Sequence, residues 1–153
     1  MSMTMMEVEQ AFTAVQDHES IKRDSHERID LQPGDAYPQG DVIFVPLHGQ
    51  PKRHADYQGR QLAPGDTQGS RHVAEGADIE LYIPDAADVI AMIARTLPRS
   101  EVQPELLGPT ILSSGFTVTH PEHGDRTFTA IPAGCHQVVY QRAYAEEIRR
   151  QVD

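Results

Sequence analysis

The chain has 153 residues, 39% of them apolar and 6% aromatic with no tryptophan, and its formal net charge is -10. That length suits one domain with a modest core. The negative balance excludes a general phosphate-binding surface, since nucleic-acid binders carry a basic patch or stripe; no nucleic-acid partner is expected. Cys135 is the only cysteine, which rules out an intrachain disulfide and a Cys-rich zinc knuckle. The longest apolar run, around residues 89–97, is far too short to span a bilayer. Residues 1–7 lack the basic and apolar regions of a signal peptide, so a cytoplasmic protein with no membrane partner is expected.

Met5, Val8, Phe12 and Val15 recur at helical spacing, which predicts a short amphipathic helix over residues 5–17. Residues 18–30 are mostly polar and charged. Residues 1–30 therefore read as an N-terminal helix and arm, and 31–153 as a β-barrel-like domain. A stripe this short needs something to pack against, either the same domain or a second subunit, so a homo-oligomer joined through the arm is expected. Turn residues follow at 32–35 and 37–41. The run Val42-Ile43-Phe44-Val45-Pro46-Leu47 is the clearest strand, central and covered on both faces. Residues 48–60 read as loop, 60–63 as a short strand, and 71–74 with 79–83 as a hairpin, the second arm alternating with period two.

Asp85 then caps a helix whose apolar side carries Val89, Ile90, Ile93, Ala94 and Leu97, and Pro98 follows its end. Strands resume at 110–112, 115–120, 127–131 and 136–142, the last two joined through Pro132-Ala133-Gly134. Residues 143–152 suit a short helix, with Glu146 four residues before Arg150. The sum is a mainly β chain: a small barrel or sandwich with one inserted helix and short helical termini.

The chemistry concentrates in Thr119-His120-Pro121-Glu122-His123-Gly124. His120 shares strand parity with Phe116 and Val118, so it points inward if they do. Positions three apart on a continuous strand face opposite ways, so His120 and His123 can share an ion only because Pro121 turns the chain. His72, after a Gly-containing turn, is the third candidate. Three neutral imidazoles plus water make an open, catalytic-type site for a divalent metal, zinc foremost; iron, nickel and copper are also compatible. Glu122 suits a general base for metal-bound water or a partner to an imidazole N–H; an exposed glutamate is the blander reading. His48 and His54 lie in the polar loop, His18 and His26 in the arm, and His136 opens the last strand. Cys135 cannot pair with its neighbour His136, because adjacent strand residues face opposite ways; a buried, inert thiol is expected.

Pro132-Ala133-Gly134-Cys135-His136 resembles the second motif of the cupins, small β-barrels with histidines lining a bowl. Ser70-Arg71-His72 stands where their first motif has His-x-His. A broader resemblance is to an uncharacterised group of small bacterial β proteins. It rests on 40–46, 62–69, His120-Pro121-Glu122-His123-Gly124, and Ile131-Pro132-Ala133-Gly134 with Gln141-Arg142-Ala143-Tyr144 after it. That group has Gly-His-x-His before the position of His72; Ser70 departs from the pattern and leaves His72 as the one imidazole there. The resemblance implies a fold and a histidine site, with no reaction attached.

Two functions follow. One is a metal-binding β protein, enzyme or not, with His72, His120 and His123 as ligands, Glu122 using or tuning the bound water, and a small-molecule substrate left open. The other is a non-enzymatic assembly module that uses its N-terminal arm and holds no metal.

Overall fold

A computed structural model of the chain describes residues 26–64, 71–121 and 124–142. Among the described residues, ten strands form two sheets. The smaller has the order β1-β9-β8-β5, with β1 (His26–Ile29), β9 (Asp125–Phe128), β8 (Phe116–Thr119) and β5 (Val73–Glu75). The larger has the order β2-β3-β10-β7-β6-β4, with β2 (Tyr37–Gln39), β3 (Val42–Pro46), β10 (Cys135–Tyr140), β7 (Leu107–Leu112), β6 (Glu80–Pro84) and β4 (Arg53–Asp56). All pairings between these strands are antiparallel except β1 with β9. The described strands stack as a sandwich and do not close into a barrel.

Strand parity explains the layers. In β3, Val42 and Phe44 join a core between the two sheets, while Ile43 and Val45 face the other way. In β10, Val138 faces the inter-sheet core, and Cys135 and Val139 face outward with Ile43 and Val45. Helix α1 (Ala86–Thr96) covers that outer face through Val89 and Ile93, with Leu97 just past its end. It starts where expected: the Asp85 carboxylate accepts from the Asp88 N–H at 2.9 Å. The order is therefore helix, six-stranded sheet, inter-sheet core, four-stranded sheet. No helix among the described residues is long and apolar enough to cross a membrane.

Several segments differ from their sequence reading. Residues 71–74 and 79–83 are not a hairpin: β5 pairs with β8 in one sheet, and β6 pairs with β7 and β4 in the other. Two strands close in sequence look like a hairpin, and pairing is decided by which sheet buries each apolar face. Residues 53–56, read as loop, form the edge strand β4, whose largely polar side chains face water. Residues 26–29, read as arm, are a strand of the smaller sheet, and Ile29 enters the core. Residues 60–63 reduce to one bridge, Gln61 with Val73. The proposed helices at 5–17 and 143–152 lie outside the described residues.

Candidate functional site at the polar end of the inter-sheet core

The register places His72 and His120 side by side. Ala74 pairs with Val118 across β5 and β8. Two residues further along each strand, on the same inward face, stand His72 and His120. Their rings lie 4.3 Å apart between centroids, tilted by 44°. His72 is fully buried and His120 is 4% exposed. Inward orientation of His120, expected from its parity with Phe116 and Val118, is what the fold has. The Gly124 N–H donates to the His120 carbonyl at 3.0 Å, so the chain leaves and re-enters the sheet at one point. Glu122 and His123 lie outside the described residues. Among the described residues, no group of three or more His, Cys, Asp or Glu side chains could hold a metal ion.

Further polar side chains gather at this end of the core, all missed in the sequence. Arg126 pairs with Val118 and is fully buried. Its Nε donates to the Tyr37 hydroxyl at 3.3 Å, and its Nη1 to the Asp125 carbonyl at 2.9 Å. Burial lowers the guanidinium's pKa, but an arginine keeps its charge in proteins. Burial, with Glu27 nearby, pushes the Tyr37 phenol up to about 12, so it remains a protonated hydroxyl. Gln39 shares Tyr37's face of β2 two residues on. It is 1% exposed, and neither its Nε2 nor its Oε1 has a hydrogen-bond partner among the described residues.

From β10, Tyr140 completes the group. Its hydroxyl donates to the Leu62 carbonyl at 2.9 Å, and the Leu62 N–H donates to the His72 carbonyl at 2.7 Å. Gly108 allows this placement. A Cβ there would stand 3.0 Å from the Tyr140 ring and 2.9 Å from Val138 Cγ1, distances a side chain could not take up without displacing Tyr140.

The remaining histidines are elsewhere. His26, His48 and His54 are exposed. His136 is 2% exposed and packs edge-on against Phe116 at 5.1 Å, at the opposite end of β8 from His120. Burial lowers its pKa to about 4, so it is neutral at physiological pH. Cys135 faces α1, away from His136, and burial pushes its thiol up to about 12. A thiol held protonated is a poor nucleophile. A separate surface groove of about 410 Å³ runs between β6 and the start of α1, lined by Ile83, Pro84, Ala86 and Leu107 among others; it gathers no comparable set of polar groups. Comparisons of the chain with protein-family models, with curated proteins and with solved structures found no match.

Proposed function

We propose that the protein binds a divalent cation, zinc foremost, through His72, His120 and His123. Glu122 then serves as a partner to an imidazole N–H or as the base for water on the ion. One observation carries the reading: His72 and His120 stand ring against ring, buried, with centroids 4.3 Å apart, at the polar end of the inter-sheet core. Two imidazoles on one zinc have donor nitrogens roughly 3.3 Å apart, from Zn–N bonds of about 2.05 Å at the tetrahedral angle. Rings whose centroids lie 4.3 Å apart are near enough for both imidazoles to serve one ion. The Gly124–His120 hydrogen bond supports His123 as third ligand, because it keeps the chain beside the pair on both sides of the turn. On this reading the protein works in the cytoplasm.

Metal content of tag-free, full-length protein tests the proposal. About one equivalent of zinc, lost on changing His120 and His123 to alanine, is expected. Metal-free protein whose stability is indifferent to a chelator would overturn it. Arm-mediated assembly falls on residues outside the described ones. Size-exclusion chromatography with and without residues 1–25 tests it, because residue 26 already belongs to the sheet; an unchanged oligomeric state on truncation would count against the arm.

A further inference from the structure

We infer that the groove between β6 and the start of α1 is the seat of a segment of the chain itself, residues 143–153, which enters it through Tyr144 and Ile148. The inference stands apart from the cation reading.

The groove is the starting point. Ile83, Pro84, Ala86, Ala87, Pro104 and Leu107 give it an apolar lining, and its volume is about 410 Å³. That is the size of a cleft that takes a small ligand or a pair of large side chains. Ile83 is 40% exposed, the one large apolar side chain left so among the described residues. Ala55, opposite it on β4, carries only a methyl group and cannot shade it. Covering Ile83 is favourable because it removes apolar surface from water.

Topology says which segment is at hand. Val139 of β10 pairs with Leu107 of β7, so the last described strand lies one strand spacing, about 4.8 Å, from a strand that lines the groove. The two run antiparallel, so residues 140–142 extend past the start of β7 towards Pro104. Gly108, another lining residue, sits against the same chain end: a Cβ there would stand 3.0 Å from the Tyr140 ring. Arg142, the last described residue, donates from Nη2 to the Glu101 carbonyl at 3.3 Å and lies 3.8 Å from the Glu101 carboxylate. Glu101 stands three residues before Pro104, at most about 11 Å along an extended chain. Residue 143 therefore follows directly from the wall of the groove.

The sequence supplies the matching face. Tyr144, Ile148 and Val152 recur every fourth residue, which puts them on one side of a helix, with mostly charged residues between. A helix over 143–153 would measure about 16 Å, more than the one or two strand spacings of about 4.8 Å to be crossed. The N-terminal stripe of Met5, Val8, Phe12 and Val15 is the rival occupant. Its chain joins the described fold at β1, in the other sheet. Proximity favours residues 143–153.

Disulfide trapping in full-length protein reads the seat directly. Ile83→Cys/Ile148→Cys should close an intrachain disulfide under mild oxidation, because the Cα atoms of a docked pair come within about 7 Å. Glu75→Cys/Ile148→Cys should not, since Glu75 is exposed on β5 of the other sheet, paired with Thr117 at the end away from the groove. Cys135 is buried and stays out of the exchange. A synthetic peptide of residues 142–153 gives a second reading, on the amide resonances of Ile83, Ala86 and Leu107. It should bind the Tyr144→Ser/Ile148→Ser protein at least about tenfold tighter than the native chain, whose own segment holds the seat at high effective concentration. Trapping as readily at Glu75 as at Ile83, or a peptide that binds both proteins alike or neither, would overturn the inference. An interchain disulfide in place of the intrachain one would seat the segment on a second copy and overturn it as well.

Discussion

Followed from one end of the inter-sheet core to the other, the inward residues of β8 run Phe116, Val118, His120. Those of β9 run Phe128 then Arg126, and those of β10 run His136, Val138, Tyr140. The first end is aromatic. Phe44, Phe116 and Phe128 lie 4.6 to 6.3 Å apart between centroids. The second end carries His72, His120, Arg126, Gln39 and two tyrosine hydroxyls. Over two to four residues β8 and β9 exchange aromatic packing for buried polar groups, while His136 of β10 is a buried polar group at the aromatic end itself. Hydrophobic burial at the first end stabilises the fold, whereas desolvated polar groups at the second oppose it unless each is met. Gln39, whose buried amide has no hydrogen-bond partner among the described residues, is a member of the second end that carries this cost.

The largest predicted effect breaks the aromatic end. Phe128 touches Phe44, Phe116 and Tyr37, so Phe128→Ala should cost about 3–5 kcal/mol in denaturant unfolding. A loss below about 1 kcal/mol would mean that this end does not anchor the sandwich.

Next comes acid. His136 has its folded pKa lowered to about 4, below its ordinary 6.5, and its buried Nδ1 has no partner among the described residues. Protonation therefore favours the unfolded chain. Its effect is absent above pH 6.5 and grows as the pH falls from 6.5 towards 4, approaching about 3 kcal/mol at about 1.4 kcal/mol per pKa unit. His136→Leu should flatten stability across that window and leave it unchanged or higher at pH 7. An identical pH profile in both proteins would refute this.

Smaller effects sharpen the boundary between the ends. Tyr37 belongs to both, with its ring against Phe128 and its hydroxyl on Arg126. Tyr37→Phe should keep the packing and lose roughly 1.5 kcal/mol, the low side for a hydrogen bond to a charged group. A neutral result would mean that the hydroxyl does not hold the guanidinium. Asp85→Ala removes the α1 cap, far from both ends. It should cost roughly 1 kcal/mol by denaturant unfolding and leave zinc uptake untouched; a change in zinc uptake would link the helix to the site.

What was legible in the sequence follows from the range of each signal. Alternation within a strand is local, so the inward turn of His120, the central placement of β3 and the Asp85 cap could all be read. Pairing is non-local: nothing in residues 71–83 reveals that β5 and β6 part into different sheets. The polar end was half legible for the same reason. His72 and His120 stood out because imidazole is rare and chemically marked. Arg126 did not, because the strand was read from residue 127 and an arginine before a strand looks like solvent-facing charge. Gln39 was hidden in a segment rich in proline and glycine that reads as turn, and only its pairing with Val42 turns it inward. Buried polarity shows only once the layers that cover it are known.

The central claim is that His72 and His120 bind a cation. The most direct measurement is the shift in denaturation midpoint of tag-free, full-length protein on adding zinc, compared with the His72→Leu/His120→Leu variant. Apolar replacement of both rings should leave the variant folded. At zinc one hundredfold above its dissociation constant, the native chain should gain about 2.7 kcal/mol and the variant nothing. An equal gain in both proteins, or no gain in either, would contradict the account.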